Sequence, residues 1–233
     1  MFRLRHILTL LLSLMVAQLM GQTPQETTIN ASHRRYVTPT GAYSNRGTTW
    51  ADAKNNIQDA INDLVASNLL PGEVWVKEGT YRPTESTESG GSSLFASFKI
   101  PAGITVRGGF AGNEVTLNDR MVKYLDKDGN TVGTAKIGDT FSKAYTEKRF
   151  LHPTILTGDL SSRQANFTWN DQSHRYATQF YGNAYHVVWF ATNGFYSNGR
   201  AKALQLNDDS WTATLEGMII KRGYAYNSSL EGH

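Results

Sequence analysis

The sequence predicts an all-β solenoid, in which short strands stack in parallel as successive rungs, closed at its N-terminal end by one α-helix. One segment has helical periodicity, and every apolar run after it is short and rich in β-branched residues. These later runs recur at nearly equal intervals, without the helical segments that an alternating βαβ sheet requires. Several of them end in a tight glycine turn, and a stacked coil needs such a bend at the same place on each circuit.

Residues 1–21 predict a secretory signal peptide. Arg3 and Arg5 give a positive start, residues 7–20 are mostly apolar, and small residues including Gly21 follow. A retained membrane anchor is the alternative, but a helix needs roughly 20 apolar residues to cross a bilayer and this stretch is shorter. We therefore expect an exported protein, extracellular or on the outer cell surface with the periplasm as an alternative, and no integral membrane span after signal removal.

Signal removal also changes the charge of the protein. The full chain has 23 Lys and Arg, 20 Asp and Glu and a net charge of +3, of which Arg3 and Arg5 carry two units, so the mature chain has +1. The short basic runs, such as His33-Arg34-Arg35, are isolated, and we interpret them as solvated surface. Nucleic-acid binding needs clustered basic residues, so no nucleic-acid partner is predicted. The absence of Cys excludes disulfides and thiolate metal sites.

The clearest helix is predicted over residues 51–66, after a polar, aperiodic segment at 22–35 that predicts a flexible leader. Ordered structure is expected from Tyr36 onward. Thr49 and Asp52 have the spacing of a capping box at the start of the helix. The apolar face consists of Ala53, Ile57, Ala60, Ile61, Leu64 and Val65, and the opposite side carries Asn55, Gln58, Asp59, Asn62 and Asp63.

Five apolar runs after the helix predict strands, at residues 74–76, 104–106, 154–156, 186–190 and 215–220. This spacing fits either a β-sandwich or a solenoid, and the glycine turns favour the solenoid. One hairpin is predicted at residues 124–132, around an Asp-Gly turn inside the longest interval. The markers Val76, Val106, Ile155, Val188 and Ile220 lie 30, 49, 33 and 32 residues apart.

Six segments resemble, in this order, the N-terminal part of secreted bacterial parallel β-helix proteins of the pectate-lyase-like superfamily: YVTPTG, GTTWADAKNNIQDAI, GEVWVKEGTYRPT, SFKIPAGITVRGGFAGNE, TILTGDL and LEGMIIKRGYA. The resemblance covers residues 36–225. It implies a right-handed, single-stranded parallel β-helix over residues 36–233, with the helix at 51–66 as its N-terminal cap. Because such proteins continue through more coils, we expect the C-terminal end to be incomplete and to need further coils or another chain.

A dense group of aromatic residues between residues 150 and 196 predicts a ligand surface. Aromatic rings on a flat face stack on sugar rings, and adjacent Arg and Asn side chains hydrogen-bond sugar hydroxyls. The alternative is that the rings pack in the interior, where large apolar areas are buried. The candidate ligand-binding residues are Trp169, Asn170, Arg175, Tyr176 and Tyr181.

No catalytic residue is predicted. Glycoside hydrolysis needs two carboxylates that face each other across a bond, and the spacing of the acids does not pair any two of them. The histidines lack metal-ligand spacing, and residues 126–130 fit an Asp-Gly turn better than a calcium loop. No metal or cofactor is therefore predicted. The acidic candidates are Asp159, Asp171, Asp208 and Asp209.

These observations predict an exported surface or secreted module that binds polysaccharide or host-matrix glycans, in the manner of an adhesin, without catalysis. The alternative, which the enzymatic relatives suggest, is the N-terminal part of a polysaccharide lyase or a glycosidase. A third interpretation, a structural spacer, predicts no ligand at all.

Overall fold

The computed structural model describes residues 29–85, 95–160, 183–184, 186–191, 195–197, 200–202 and 212–223. The predicted signal peptide at 1–21 lies outside them. The described residues form one α-helix, α1 (Ile57–Ala66), two short 3₁₀ turns (Ala31–His33 and Leu117–Asp119) and a series of short strands. The strands are β1 (Arg34–Val37), β2 (Gly72–Lys77), β3 (Gly79–Tyr81), β4 (Phe98–Pro101), β5 (Ile104–Phe110), β6 (Met121–Leu125), β7 (Thr131–Lys136), β8 (Glu147–Phe150), β9 (Thr154–Thr157), β10 (Val188–Ala191), β11 (Phe195–Ser197), β12 (Arg200–Lys202), β13 (Thr214–Glu216) and β14 (Met218–Lys221).

Within the described residues, the strands form five small sheets of two kinds. Three sheets contain parallel pairs, with the orders β1-β2-β5-β13, β14-β9-β3 and β10-β4. Two sheets are antiparallel, with the orders β7-β6-β8 and β11-β12. Strand β1 begins at Arg34, two residues before the expected start of ordered structure.

The prediction of an all-β solenoid, a right-handed parallel β-helix, is wrong. The structure is mixed, with a helix in its core and several small sheets, some parallel and some antiparallel. The longest interval between the predicted strands holds a three-stranded antiparallel sheet, β7-β6-β8. The physical reason is that regular spacing and glycine turns show where strands begin and end, but not which strands pair or in which direction.

Helix α1 begins later than the sequence predicts, at Ile57 with Asn56 as its N-cap. The Asn56 side chain accepts a hydrogen bond from the backbone N–H of Gln58 at 2.8 Å. Lys54, two residues before the N-cap, is instead held beside β1, because its N–H donates to the Tyr36 carbonyl and its carbonyl accepts from the Thr38 N–H, both at 2.9 Å. A residue whose backbone groups are both bonded to this distant segment cannot start the helix.

The apolar face of α1 lies over the parallel strands and forms the core with them. Alternate residues of β2 and β5 point to this face, as the period of a strand requires. No helix in the described part of the chain is both long and apolar enough to cross a membrane. The buried core includes Val37, Ile57, Ala60, Ile61, Leu64, Val74, Val76, Phe98, Ile100, Ile104, Val106 and Leu156.

Candidate functional site

The ligand-binding residues that the sequence predicts, Trp169, Asn170, Arg175, Tyr176 and Tyr181, all lie outside the described residues. The same holds for the acidic candidates Asp171, Asp208 and Asp209. Their predicted roles stay predictions.

Asp159 is the acidic candidate that the structure does describe, and it is 2% exposed. Its carboxylate pairs with the Arg222 guanidinium at 2.7 Å, and its carbonyl accepts from Arg82 Nε at 2.6 Å. Because the carboxylate is buried against a cation, it fixes the chain rather than facing a substrate.

An open pocket of about 470 Å³ lies on the face of the β1-β2-β5-β13 sheet that points away from the core. We call it the outer-face pocket. This volume is in the range of small-ligand sites. Its wall combines side chains of β1, β2 and β5 with the segment before β1 and the loop after β5. The lining residues are Ile29, Asn30, Ala31, Arg34, Glu73, Trp75, Arg107, Val115, Thr116, Leu117 and Asn118.

Strand alternation explains why charged residues form the floor of this pocket. In β2, Val74 and Val76 belong to the core, so Glu73 and Trp75 must point to the opposite face. The parallel register then places Arg34 beside Glu73 and Trp75 beside Arg107.

Four ion pairs connect these strands into a continuous row, the Arg–Glu ladder, formed by Arg34, Glu73, Arg107, Glu216 and Arg120. Glu73 accepts from Arg34 Nε at 2.9 Å through one oxygen and from Arg107 Nε at 2.6 Å through the other. Arg107 also contacts Glu216, which accepts from Arg120 Nη2 at 2.8 Å. The Glu73 side chain is only 3% exposed, so its charge must be paired to be tolerated there.

A cluster of aromatic rings lies beneath the ladder. The Trp75 indole is fully buried and stacks on Phe110 with a centroid distance of 4.6 Å. The Arg34 guanidinium carbon lies 3.9 Å from the Trp75 ring centroid, a cation–π contact. Within the described part of the chain, Trp75 Nε1 has no hydrogen-bond partner.

The loop after β5 forms the rim of the pocket and is held in place by Glu114. The Glu114 carboxylate accepts from the backbone N–H groups of Ala111, Gly112 and Asn113 at 2.6, 2.9 and 3.0 Å. With this loop fixed, Val115 stands at the rim with 79% of its surface exposed.

The 3₁₀ turn of the rim is stabilised by Asp119. Its carboxylate accepts from the Thr116 N–H at 2.8 Å and from Lys136 Nζ at 2.7 Å. These hydrogen bonds, the one from Lys136 first, hold the pKa of Asp119 far below its usual range. The carboxylate is therefore ionised at neutral pH.

A second pocket, of about 310 Å³, lies at the start of α1. The Asn56 amide that lines it already caps the helix and donates to Thr84 Oγ1 at 2.9 Å. The Tyr81 hydroxyl donates to the Lys77 carbonyl at 2.9 Å, and burial raises the pKa of Tyr81 well above its usual value. Because Asn56 and Tyr81 are already paired within the protein, this second pocket is the weaker candidate.

The described residues offer little for metal or acid–base chemistry. Among them, no group of three or more His, Asp or Glu side chains is placed to hold a metal ion.

The predicted hairpin is confirmed, because β6 and β7 pair antiparallel around residues 126–130. In that turn, Asp126 Oδ1 accepts from the backbone N–H groups of Asp128 and Asn130, both at 2.9 Å.

The outer-face pocket was not predicted from the sequence. The interpretation of His33-Arg34-Arg35 as solvated surface is wrong for both arginines, because their side chains are 15% and 10% exposed. A signal for the pocket exists in the sequence: Glu73 and Trp75 are two residues apart in a strand, and so are Thr105 and Arg107. Recognising the site also requires knowing that these strands are neighbours.

The fold and the pocket together define a mixed protein with a ligand-sized site on a parallel sheet. No protein-family model, no curated protein and no solved structure matches this chain. The resemblance to pectate-lyase-like proteins therefore stays a prediction.

Proposed function

We propose that this chain is an exported surface or secreted module that binds glycans at the outer-face pocket without degrading them. The observation that carries the proposal is the convergence of planar polar side chains beside an aliphatic rim. The lining includes the polar side chains of Arg34, Glu73 and Asn118 and the aliphatic side chains of Val115 and Leu117.

This combination suits a sugar ring. A sugar presents hydroxyls around its edge and C–H groups on its faces, so it needs fixed hydrogen-bonding groups and some apolar contact. The Arg–Glu ladder fixes the guanidinium of Arg34, because its Nε is bonded to Glu73 at 2.9 Å. Val115 and Leu117 supply the apolar contact.

The carboxylate in the pocket supports binding rather than hydrolysis. Among the described lining residues, Glu73 is the one with a carboxylate, and each of its oxygens accepts from an arginine. Glycoside hydrolysis needs an acid and a second carboxylate on opposite sides of the scissile bond. Because the guanidinium groups of Arg34 and Arg107 hold both oxygens, this carboxylate is not placed to contact a glycosidic oxygen.

The binding test is a glycan array probed with the chain from Gln22 onward. We expect retention of a subset of glycans, and incubation with them releases no unsaturated or reducing-end products. Release of such products would contradict a non-catalytic role, and retention of no glycan would contradict glycan binding.

A blocking variant places the binding at the pocket. Val115→Trp fills the mouth at a residue that is 79% exposed, and Tyr43→Trp is the matched control at a residue that is 74% exposed and outside the lining. We expect the first substitution alone to abolish retention. Equal retention by both variants would place the glycan elsewhere.

Export is tested separately. Expression of the full chain in a bacterium with a secretion system is expected to yield a mature protein that lacks residues 1–21 in its mass spectrum. An intact N-terminus in the cytosolic fraction would contradict export.

A further inference from the structure

We propose, resting on the glycan-binding function above, that the outer-face pocket recognises an oxyanion of its ligand. The chemical group is a carboxylate or a sulfate ester carried by the sugar. The proposal follows from the balance of hydrogen-bond donors and acceptors on the floor of the pocket.

Arg34 supplies the principal donors. Its Nε donates to Glu73, and its guanidinium carbon lies 3.9 Å from the Trp75 ring centroid. In the part of the chain that the structure describes, its two terminal nitrogens make no hydrogen bond. A guanidinium that is fixed on one edge and open on the other is suited to a charge-assisted bond with an oxyanion.

Trp75 forms the wall behind this guanidinium. Its indole N–H is buried and has no hydrogen-bond partner among the described residues. The ring supports the Arg34 guanidinium through the cation–π contact rather than binding the ligand itself.

The carboxylate of the floor is already paired with two cations. Both oxygens of Glu73 accept from arginine, at 2.9 Å from Arg34 and at 2.6 Å from Arg107. A neutral hydroxyl makes only a weaker, uncharged acceptor for the open edge of Arg34. An oxyanion only accepts, and it matches the donors that remain.

The charge of the floor favours the same ligand. Two of the charged lining residues are the cations Arg34 and Arg107, and the third is the anion Glu73. Their sum is one positive charge in a partly desolvated cleft, where an attraction to an anion is stronger than in bulk water.

The experiment compares three sugars with the same wild-type chain: glucuronate, glucose 6-sulfate and glucose, each titrated with calorimetry. We expect at least one of the two anionic sugars, glucuronate or glucose 6-sulfate, to bind at least about tenfold more tightly than glucose. The preference is expected to shrink as salt rises to about 0.5 M, since salt screens exposed charges. The two acid arms distinguish a carboxylate from a sulfate ester, and tighter binding of either supports the proposal.

A pair of arginine variants tests the role of the guanidinium. Arg34→Gln is expected to weaken binding of the anionic sugars more than binding of glucose, so that the preference for the anionic sugar disappears. Arg149→Gln is the matched control, because Arg149 is exposed on the antiparallel sheet and pairs with Glu147. It is expected to leave all three affinities unchanged.

The outcomes separate the two proposals. Equal affinity for acids and glucose, or an acid preference that survives Arg34→Gln, overturns the oxyanion inference and leaves glycan binding in place. Binding of none of the three sugars overturns the inference, and the glycan array then decides the proposed function.

If Arg34→Gln does not fold, an NMR titration of the wild-type chain replaces this variant. Glucuronate or glucose 6-sulfate must then shift the Arg34 Nε–H and Trp75 indole N–H signals more than glucose does, and equal shifts overturn the inference.

Discussion

The side-chain amide of Gln58 in α1 forms two hydrogen bonds with the backbone of Lys99 in β4. Its Oε1 accepts from the Lys99 N–H at 2.8 Å, and its Nε2 donates to the Lys99 carbonyl at 3.2 Å. Within the described sheets, β4 has a partner strand, β10, on one side. The amide therefore satisfies two backbone groups that would otherwise need another strand.

Gln58→Ala is expected to lower the free energy of unfolding by about 1–3 kcal/mol, because it leaves a buried N–H and a buried carbonyl without partners. Gln58 is 1% exposed, so water cannot easily replace the amide. The measurement is a urea unfolding curve. Asn55→Ala, on the exposed residue before the N-cap, is the control and should change the midpoint little; equal effects of the two substitutions would show that the amide contributes nothing to stability.

Gln58 also shows what sequence periodicity predicts and what it does not predict about the helix. The apolar face of the helix was predictable, and Ile57, Ala60, Ile61 and Leu64 are all buried in the structure. The same pattern places Gln58 on the polar side, yet it is buried. Its partner is a backbone segment 41 residues away, and no local pattern contains that pairing.

The strands show the same limit: local sequence predicts where a strand lies, but not which strand it pairs with. The run at 104–106 lies in β5, as predicted from its β-branched residues. The solenoid did not follow from those runs, because the partner and the direction of each strand depend on contacts between distant segments. The Arg–Glu ladder was not predictable for the same reason: Glu73 and Arg107 are 34 residues apart and meet through the β2–β5 register.

Glu73→Gln is expected to destabilise the protein by about 3 kcal/mol, because a neutral amide removes the negative charge that lies between two largely buried guanidinium groups. The Glu73 side chain is 3% exposed and bonds to both Arg34 and Arg107. The measurement is the unfolding free energy from denaturant titration.

The same exchange at a solvated pair provides the control for Glu73. Glu147 pairs with Arg149 at 2.5 Å, but its side chain is 47% exposed. Surface ion pairs contribute little because water solvates both partners, so Glu147→Gln should cost much less than Glu73→Gln. Similar losses for both variants would argue against a structural role of the ladder.

Asp119→Asn is expected to weaken the rim of the outer-face pocket in a pH-dependent way. Hydrogen bonds from Lys136 and Thr116 lower the pKa of Asp119 below the ordinary value of 3.8. A lowered pKa in the folded state means that the ionised carboxylate stabilises the fold above about pH 4, and that this contribution is lost as the pH falls through the folded pKa.

The unfolding midpoints of wild type and Asp119→Asn should therefore differ at neutral pH and converge as the pH falls below about 4. The thermal midpoint measured across this range checks the expectation. Asp128→Asn, at an exposed position of the hairpin turn, is the control and should show a smaller difference at neutral pH. A difference for Asp119→Asn that is constant over the whole range would mean that its carboxylate does not act through ionisation.

Gly41→Ala tests the contact that delays the start of α1. A Cβ atom at residue 41 would lie 2.3 Å from the Lys54 carbonyl oxygen and 2.4 Å from that of Ala53. Both are backbone atoms that already accept hydrogen bonds, the Lys54 carbonyl from the Thr38 N–H and the Ala53 carbonyl from the Asn45 amide, so neither can move without losing a bond. We expect a loss of about 2–3 kcal/mol in unfolding free energy, as for overpacking of a rigid site.

Gly129→Ala is the matched control. Gly129 has a φ of +82°, and no atom lies within 4 Å of the Cβ that alanine would add. This substitution therefore adds backbone strain alone, about 1 kcal/mol. If Gly41→Ala costs no more than Gly129→Ala, the segment before α1 has room to shift, and the late helix start must then come from the Asn56 cap alone.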